Sequence, residues 1–388
     1  MTLTAQTAAE AAARPGLADW PVHGQTGPSR LGAVGGSEGG ARALYPTRLR
    51  AGHVLAGLSF FLLAATASIL VGPADLPVTG VLSEVVSRVP FVHVGPGLSA
   101  VGAAVVWQLR MPRMVLGALV GAMLAVAGAS YQGAFSNPLA DPYLLGVASG
   151  AGLGATVVVV GAPLIGQIPS DLLPPAAFAG AVVAVAATFA LGRSRAAARS
   201  AASLLLAGVA VAAFFTAVQT FLLQQSSPDQ VTAVYTWILG GLSTAGWDQV
   251  ELVLPYIGTA IIVLLACRRL LDVLSVGDEE ATSMGVRAQR VRVVVIFAAT
   301  LGTAAAVSVS GLIGFVGIIV PHTIRLLAGP SYRRILPLSV LFGAGFLVLA
   351  DVVAHNVLSP AEVPLGVVTA FLGAPFFLVV LRQARRLG

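Results

Sequence analysis

The sequence has no lysine and only one cysteine. All 22 basic residues among the 388 are arginines. A Walker A loop places a lysine on the β- and γ-phosphates of ATP, so a standard nucleotide site is excluded from this chain. The single Cys267 excludes an internal disulfide, a CxxC redox pair and a cysteine-rich metal site. We therefore expect no catalytic residues, no resident cofactor and no metal centre.

Charge of either sign is scarce. Charged residues make up 10% of the chain and hydrophobic residues 57%, with a mean hydropathy of +0.90. Soluble domains carry about 25% charged residues, so lipid has to cover much of this surface. Residues 1–45 differ, being rich in Ala, Gly, Pro and Ser. We expect a disordered cytoplasmic tail over 1–45 and a transmembrane domain over 46–388.

Apolar runs predict an all-α polytopic membrane protein with about ten transmembrane helices. A spanning helix needs about 20 mostly apolar residues. The predicted spans are 53–71, 101–134, 144–162, 174–192, 201–223, 250–267, 291–308, 315–327, 335–354 and 363–381. The apolar run 231–242 is too short to span, which indicates an interfacial or re-entrant helix.

The arginines lie almost entirely on one side of this arrangement. With ten spans, only Arg88, Arg110 and Arg113 fall on the opposite side. Because basic residues concentrate in cytoplasmic loops, both termini are predicted to be cytoplasmic. Small residues also recur at helix-packing spacing, at Gly117 and Gly121 and again at 146, 150 and 154. This spacing favours intrachain helix packing over a dedicated dimer motif.

Two polar segments stand out between spans. In the first, 132–142, Asn137 and Asp141 each precede a proline, which predicts a rigid turn that by itself is a helix connector. In the second, 277–285, three acids head a short helix that Gly285 is placed to end as a C′ residue. This segment is either a capped surface helix or a docking element for a soluble partner.

Six stretches resemble, in order, the FecCD/BtuC family of ABC importer permeases. They are 108–113, 132–146, 204–209, 276–286, 311–322 and 365–375. The resemblance implies a ten-helix permease in a bacterial plasma membrane, paired with itself or with a related permease. Two cytoplasmic ATPases and an extracytoplasmic substrate-binding lipoprotein complete such a transporter.

The resemblance also implies roles for particular residues. The ATPase-coupling surface comprises Gly277, Asp278, Glu279, Glu280, Ala281, Met284 and Gly285. The cytoplasmic gate comprises Asn137, Leu139, Ala201 and Ala202, and the binding-protein docking site comprises Arg110, Arg113 and His355. Two departures bear on cargo and docking. Where this chain has His355, the cobalamin importer has a third docking arginine. Where this chain has Ala201 and Ala202, the cobalamin importer has hydroxyl residues.

The expected function is import of an iron chelate, a ferric siderophore in the first place, with haem or cobalamin as alternatives. A self-contained ion-coupled carrier is a further alternative from another class. Such carriers usually need ionisable groups at bilayer depth. Asp351, near the outer end of the ninth span, is the acid that comes closest to lying at bilayer depth. A membrane scaffold that transports nothing is a third possibility, which no sequence feature favours.

Overall fold

Lipid offers a backbone amide no hydrogen-bond partner, so a chain that crosses a membrane has to satisfy its own backbone, which an α-helix does within a single segment. A computed structural model of the protein describes residues 49–88, 95, 97–165, 170–192 and 201–386. All regular elements within these ranges are helical. The tail predicted over 1–45 lies outside the described residues.

Fourteen α-helices follow one another along the described chain. They are α1 (Ala51–Leu70), α2 (Val78–Ser87), α3 (Ala100–Ala104), α4 (Met111–Ala134), α5 (Val147–Ile165), α6 (Leu173–Gly192), α7 (Ala201–Gln224), α8 (Pro228–Ile238), α9 (Trp247–Leu274), α10 (Asp278–Ser283), α11 (Ala288–Ser310), α12 (Val316–Ala328), α13 (Tyr332–Asn356) and α14 (Leu365–Arg386). A π-helical segment, Val105–Arg110, joins α3 to α4 in one continuous helix.

Each of the ten predicted spans is a helix, and the fold class is confirmed. Within the described ranges, seven helices are long and apolar enough to cross a membrane, and α5, α12 and α14 contribute shorter apolar stretches. The short run predicted as interfacial or re-entrant is α8. Helix α2, between the first two spans, was not predicted. Its ten residues follow Pro77, whose fixed φ suits the start of a helix.

Helix α12 is shorter than a full span. Its 13 residues rise roughly 20 Å, against about 30 Å of hydrocarbon. The non-helical segment 311–315 precedes it, and the Tyr143 hydroxyl bonds to both the backbone N–H and the carbonyl of Ile313. Irregular backbone at this depth is tolerated because protein groups satisfy it.

Helices α4 and α11 form the centre of the bundle. Most of their residues are buried, and α4 packs against α9, α11, α12 and α13. A hydrogen bond between the hydroxyls of Tyr131 and Thr300 links the two helices. By contrast, few residues of α1 and α7 are buried, and many of their apolar side chains are at least partly exposed. That exposure suits helices that face lipid or another subunit.

Glycines bring neighbouring helices into backbone contact, as the small-residue spacing predicted. A Cβ added at Gly121 would overlap the carbonyl oxygen of Gly343 in α13. Likewise, Gly150 in α5 lies against the backbone of Gly180 in α6, and the contact is reciprocal. Both contacts are within the chain, which confirms intrachain packing at these positions.

Gly150→Val is therefore expected to force α5 away from α6 and to destabilise the protein by about 1–3 kcal/mol, as overpacking does. Gly161→Val is the matched control, because it lies on the same helix with no heavy atom within 4 Å of its added Cβ. Thermal unfolding of both variants in detergent, followed by tryptophan fluorescence, measures the difference. Equal melting temperatures would show that the α5–α6 contact is not tight.

Candidate functional site

The segment predicted for ATPase coupling forms a short helix presented at one end of the bundle. Gly277 has φ 144° and Gly285 has φ 79°, backbone conformations that favour glycine, so both turns flanking α10 depend on these residues. The N–H of Val286 donates to the carbonyl of Ala281 at 2.9 Å, which closes the helix in a Schellman-type cap. The expected C′ position of Gly285 is confirmed.

The side chains of α10 divide into an anchored set and an exposed set. Ala281 is fully buried, whereas Met284 is 56% exposed. Glu279 and Glu280 are exposed, and within the described residues neither carboxylate has a hydrogen-bond or ion-pair partner. Exposed carboxylates beside an apolar side chain form a surface suited to a protein contact.

Asp278 differs from the two glutamates because a buried arginine holds it. Nη1 and Nη2 of Arg292 donate to its two carboxylate oxygens at 3.2 and 2.9 Å. Nε of Arg292 donates at 2.6 Å to the carbonyl of Ala134, the last residue of α4. The sequence reasoning missed this contact. The signal was present, since Arg292 lies inside the predicted span 291–308, and a charge there needs a partner.

The loop predicted to form the gate is held by its own side chains. The Asn137 Oδ1 accepts a hydrogen bond of 2.9 Å from the backbone N–H of Leu139, which fixes a local turn. Asn137 is half-buried, whereas the apolar Leu139 side chain is 46% exposed at the surface of the turn. Ala201 and Ala202 begin α7, but their side chains lie outside the described residues.

Asp141 ends this loop in a poorly solvated position. Its Oδ1 accepts from the backbone N–H of Tyr143 at 2.9 Å, which caps the 3-10 turn Pro142–Leu145. Burial raises the pKa of the Asp141 carboxyl to about 6, and the hydrogen bond from Tyr143 opposes that shift. The loop therefore loses a negative charge as the pH falls through about 6.

The residues predicted to dock a binding protein lie at the opposite end of the bundle from α10. Arg110 is 8% exposed and donates to the carbonyl of Ile69 at 2.6 Å. It also donates to the carbonyl of Ala74 at 2.6 Å. Its guanidinium therefore satisfies carbonyls that α1 and the following turn leave without a partner.

Arg113 is the centre of a charged cluster at this end. It forms two hydrogen bonds to Asp351, at 2.8 and 2.9 Å, and two to Glu362, at 2.8 and 3.1 Å. The nearby arginine lowers the pKa of the Glu362 carboxyl. Nδ1 of His355 lies 2.6 Å from the carbonyl of Asp351, and its ring is buried. The predicted docking residues thus already contact groups of their own chain.

The structure has a cavity beside the Arg113 cluster and a groove between α8 and α14. One, of about 370 Å³, is lined by the Arg113 cluster and by the chain around Gly240, Ser310 and Pro364. The other is an apolar groove of about 590 Å³ between α8 and α14, where Phe371 is 76% exposed. Groups of three or more His, Cys, Asp or Glu that could hold a metal do not occur among the described residues.

Comparison with known proteins gives a consistent result. The FecCD transport family matches residues 60–383. The cobalamin import system permease protein BtuC of Halobacterium salinarum is 44% identical over 290 residues, which cover 74% of this chain and 76% of that protein. An uncharacterised ABC transporter permease, YvrB of Bacillus subtilis, is 39% identical over 336 residues, which cover 85% of this chain and 93% of that protein. The Fe(3+)-citrate import permease YfmE of the same organism is 36% identical over 73% of this chain and 83% of that protein.

A solved structure supports the same assignment. A metal-chelate type ABC transporter in an inward-facing conformation superimposes with a TM-score of 0.73 and 29% identity, covering 86% of this chain and 99% of that one. Together with the apolar helices, these similarities make the protein a multi-pass membrane protein. The chain belongs to the FecCD transport family and is a permease subunit of an ABC importer.

Proposed function

We propose that this chain forms one half of the path by which an iron chelate, a ferric siderophore in the first place, enters a bacterial cell. The observation that carries the proposal is the exposed acidic helix α10 on a chain with no lysine for a nucleotide site. A relative that imports Fe(3+)-citrate and a structural neighbour of the metal-chelate type support an iron cargo. Haem and cobalamin are the alternatives, and the similarity to the 44% identical cobalamin permease supports the second of them.

We place the α10 end of the bundle in the cytoplasm, with both termini, because most arginines lie there. The exposed apolar side chain of Phe371 in α14 lies in the groove between α8 and α14 and favours pairing there with a second permease, identical or related. A cytoplasmic ATPase pair would then contact α10, and an extracytoplasmic binding lipoprotein would dock at the opposite end.

The cargo is tested with the cognate binding protein and with whole cells. Purified binding protein is titrated with a ferric hydroxamate, a ferric catecholate, haem and cyanocobalamin, followed by fluorescence quenching. Uptake of the same labelled compounds is measured in cells with and without this chain. We expect one ferric siderophore to bind best and to enter only when the chain is present. Selective binding and uptake of cyanocobalamin would overturn the iron assignment.

The coupling surface is tested by charge reversal at its two unpaired acids. We propose that these acids meet a basic surface of the ATPase. Glu279→Lys with Glu280→Lys should then lower the affinity for the ATPase about tenfold or more, because like charges would face each other across the interface. Glu251→Lys, an exposed acid at the other end of the bundle, is the control. ATPase co-purification and ATP-driven uptake are measured. Full association and uptake in the double variant would remove the docking role of α10.

The docking role of Arg113 is tested with two variants that should act in opposite directions. Arg113→Gln should weaken capture of the binding protein, whereas Glu362→Gln should free one edge of the guanidinium and tighten it. Arg88→Gln is the control, since Arg88 is exposed at the same end and lies over the Trp107 ring. Affinity is measured at low salt, where charge effects are largest. If both test variants shift affinity in the same direction, the arginine is structural only.

A further inference from the structure

Arg292 joins three elements: α11, in which it lies, the short helix α10, and the end of α4. It lies in the second turn of α11 and is 9% exposed. Its guanidinium bonds to both carboxylate oxygens of Asp278, the first residue of α10, and its Nε donates to the carbonyl of Ala134. One side chain therefore connects the proposed ATPase-contacting helix to the end of the central helix α4.

The Ala134 carbonyl is the point at which α4 gives way to the loop predicted to form the gate. The neighbouring carbonyls of Gln132 and Gly133 accept from backbone N–H groups of the loop. Ala134 instead accepts from Arg292. Asn137 follows three residues later, and its turn places Leu139 at the surface. A displacement of the guanidinium is therefore applied directly to the base of the loop.

Alternative connections from α10 to this loop are longer. Residues 275–277 lead back to α9 and residues 284–287 lead on to α11. The buried Ala281 anchors α10 by packing rather than by a directional bond. Among the described side chains, Arg292 is the one that bonds both to α10 and to the end of α4. The bidentate geometry also fixes the orientation of the carboxylate, which a lysine could not do.

We propose that Arg292 is a positioning residue that transmits movement of α10 to the gate loop. The inference rests on the proposed function, in which an ATPase moves α10. It assigns Asp278 to this internal contact, which leaves Glu279 and Glu280 to face the partner. In this arrangement α10, the α11 base and the end of α4 move together when the ATPase changes conformation.

The first test separates ATPase binding from coupling in the complete reconstituted transporter. Arg292→Gln breaks the bidentate ion pair, and Asp278→Asn weakens the same contact from the other side. Arg290→Gln is the matched control, because Arg290 is exposed two residues away on the same helix with no side-chain partner among the described residues. We expect both test variants to retain the ATPase but to transport about tenfold less cargo per ATP hydrolysed. The control should match the unaltered protein.

The second test does not depend on cargo or ATP. In a Cys267→Ser background, spin labels are attached at Leu139→Cys and Thr282→Cys, both exposed positions. The distance distribution between them is expected to be narrow with Arg292 present and to broaden with Arg292→Gln. If that variant does not fold, Asp278→Asn decides the outcome. This readout still reports on Arg292 if the proposed ATPase or cargo assignment fails.

Reduced transport per ATP with a broadened distance distribution supports the inference. An unchanged transport ratio and an unchanged distribution would overturn it. A variant that loses ATPase binding and stability together, with the transport ratio intact in the remaining complexes, would also overturn it, because Arg292 would then be a structural residue alone.

Discussion

A charged side chain inside a lipid-embedded bundle has to find its partners within the protein, because hydrocarbon supplies none. Three arginines near the two ends of the described bundle follow that constraint. Arg110 bonds to carbonyls at the end of α1, Arg113 pairs with the buried Asp351, and Arg292 bonds to Asp278 and Ala134. These contacts tie helix termini together at the two surfaces where a transporter has to meet its partners.

The interior between the two ends is held differently. Glycine contacts such as Gly121–Gly343 and Gly150–Gly180 bring helix backbones together without polar groups. Packed interiors of this kind resist gradual deformation and move as units. A force applied to α10 would therefore be carried by the central helices α4 and α11, which the Tyr131–Thr300 hydrogen bond also joins. Membership of a family of ABC importer permeases supports the proposal that the energy for transport comes from another polypeptide.

Much of the fold could be predicted from the sequence because the relevant signals are local. Runs of apolar residues gave the ten spans, and the acids before Gly285 gave α10 with its C′ glycine. The pairing of charges could not be predicted in the same way. Arg113 and Asp351 are 238 residues apart, so their contact depends on how α4 and α13 pack. The same holds for Ala134 and Arg292, and for Tyr143 reaching the irregular segment at Ile313.

The most direct test is transport by purified protein in sealed liposomes, with labelled cargo and its binding protein on one side. The account predicts uphill accumulation only when the partner ATPase and ATP are both present, and none from a proton or sodium gradient alone. Uphill accumulation driven by an ion gradient, with this chain as the sole membrane protein and no nucleotide, would contradict it.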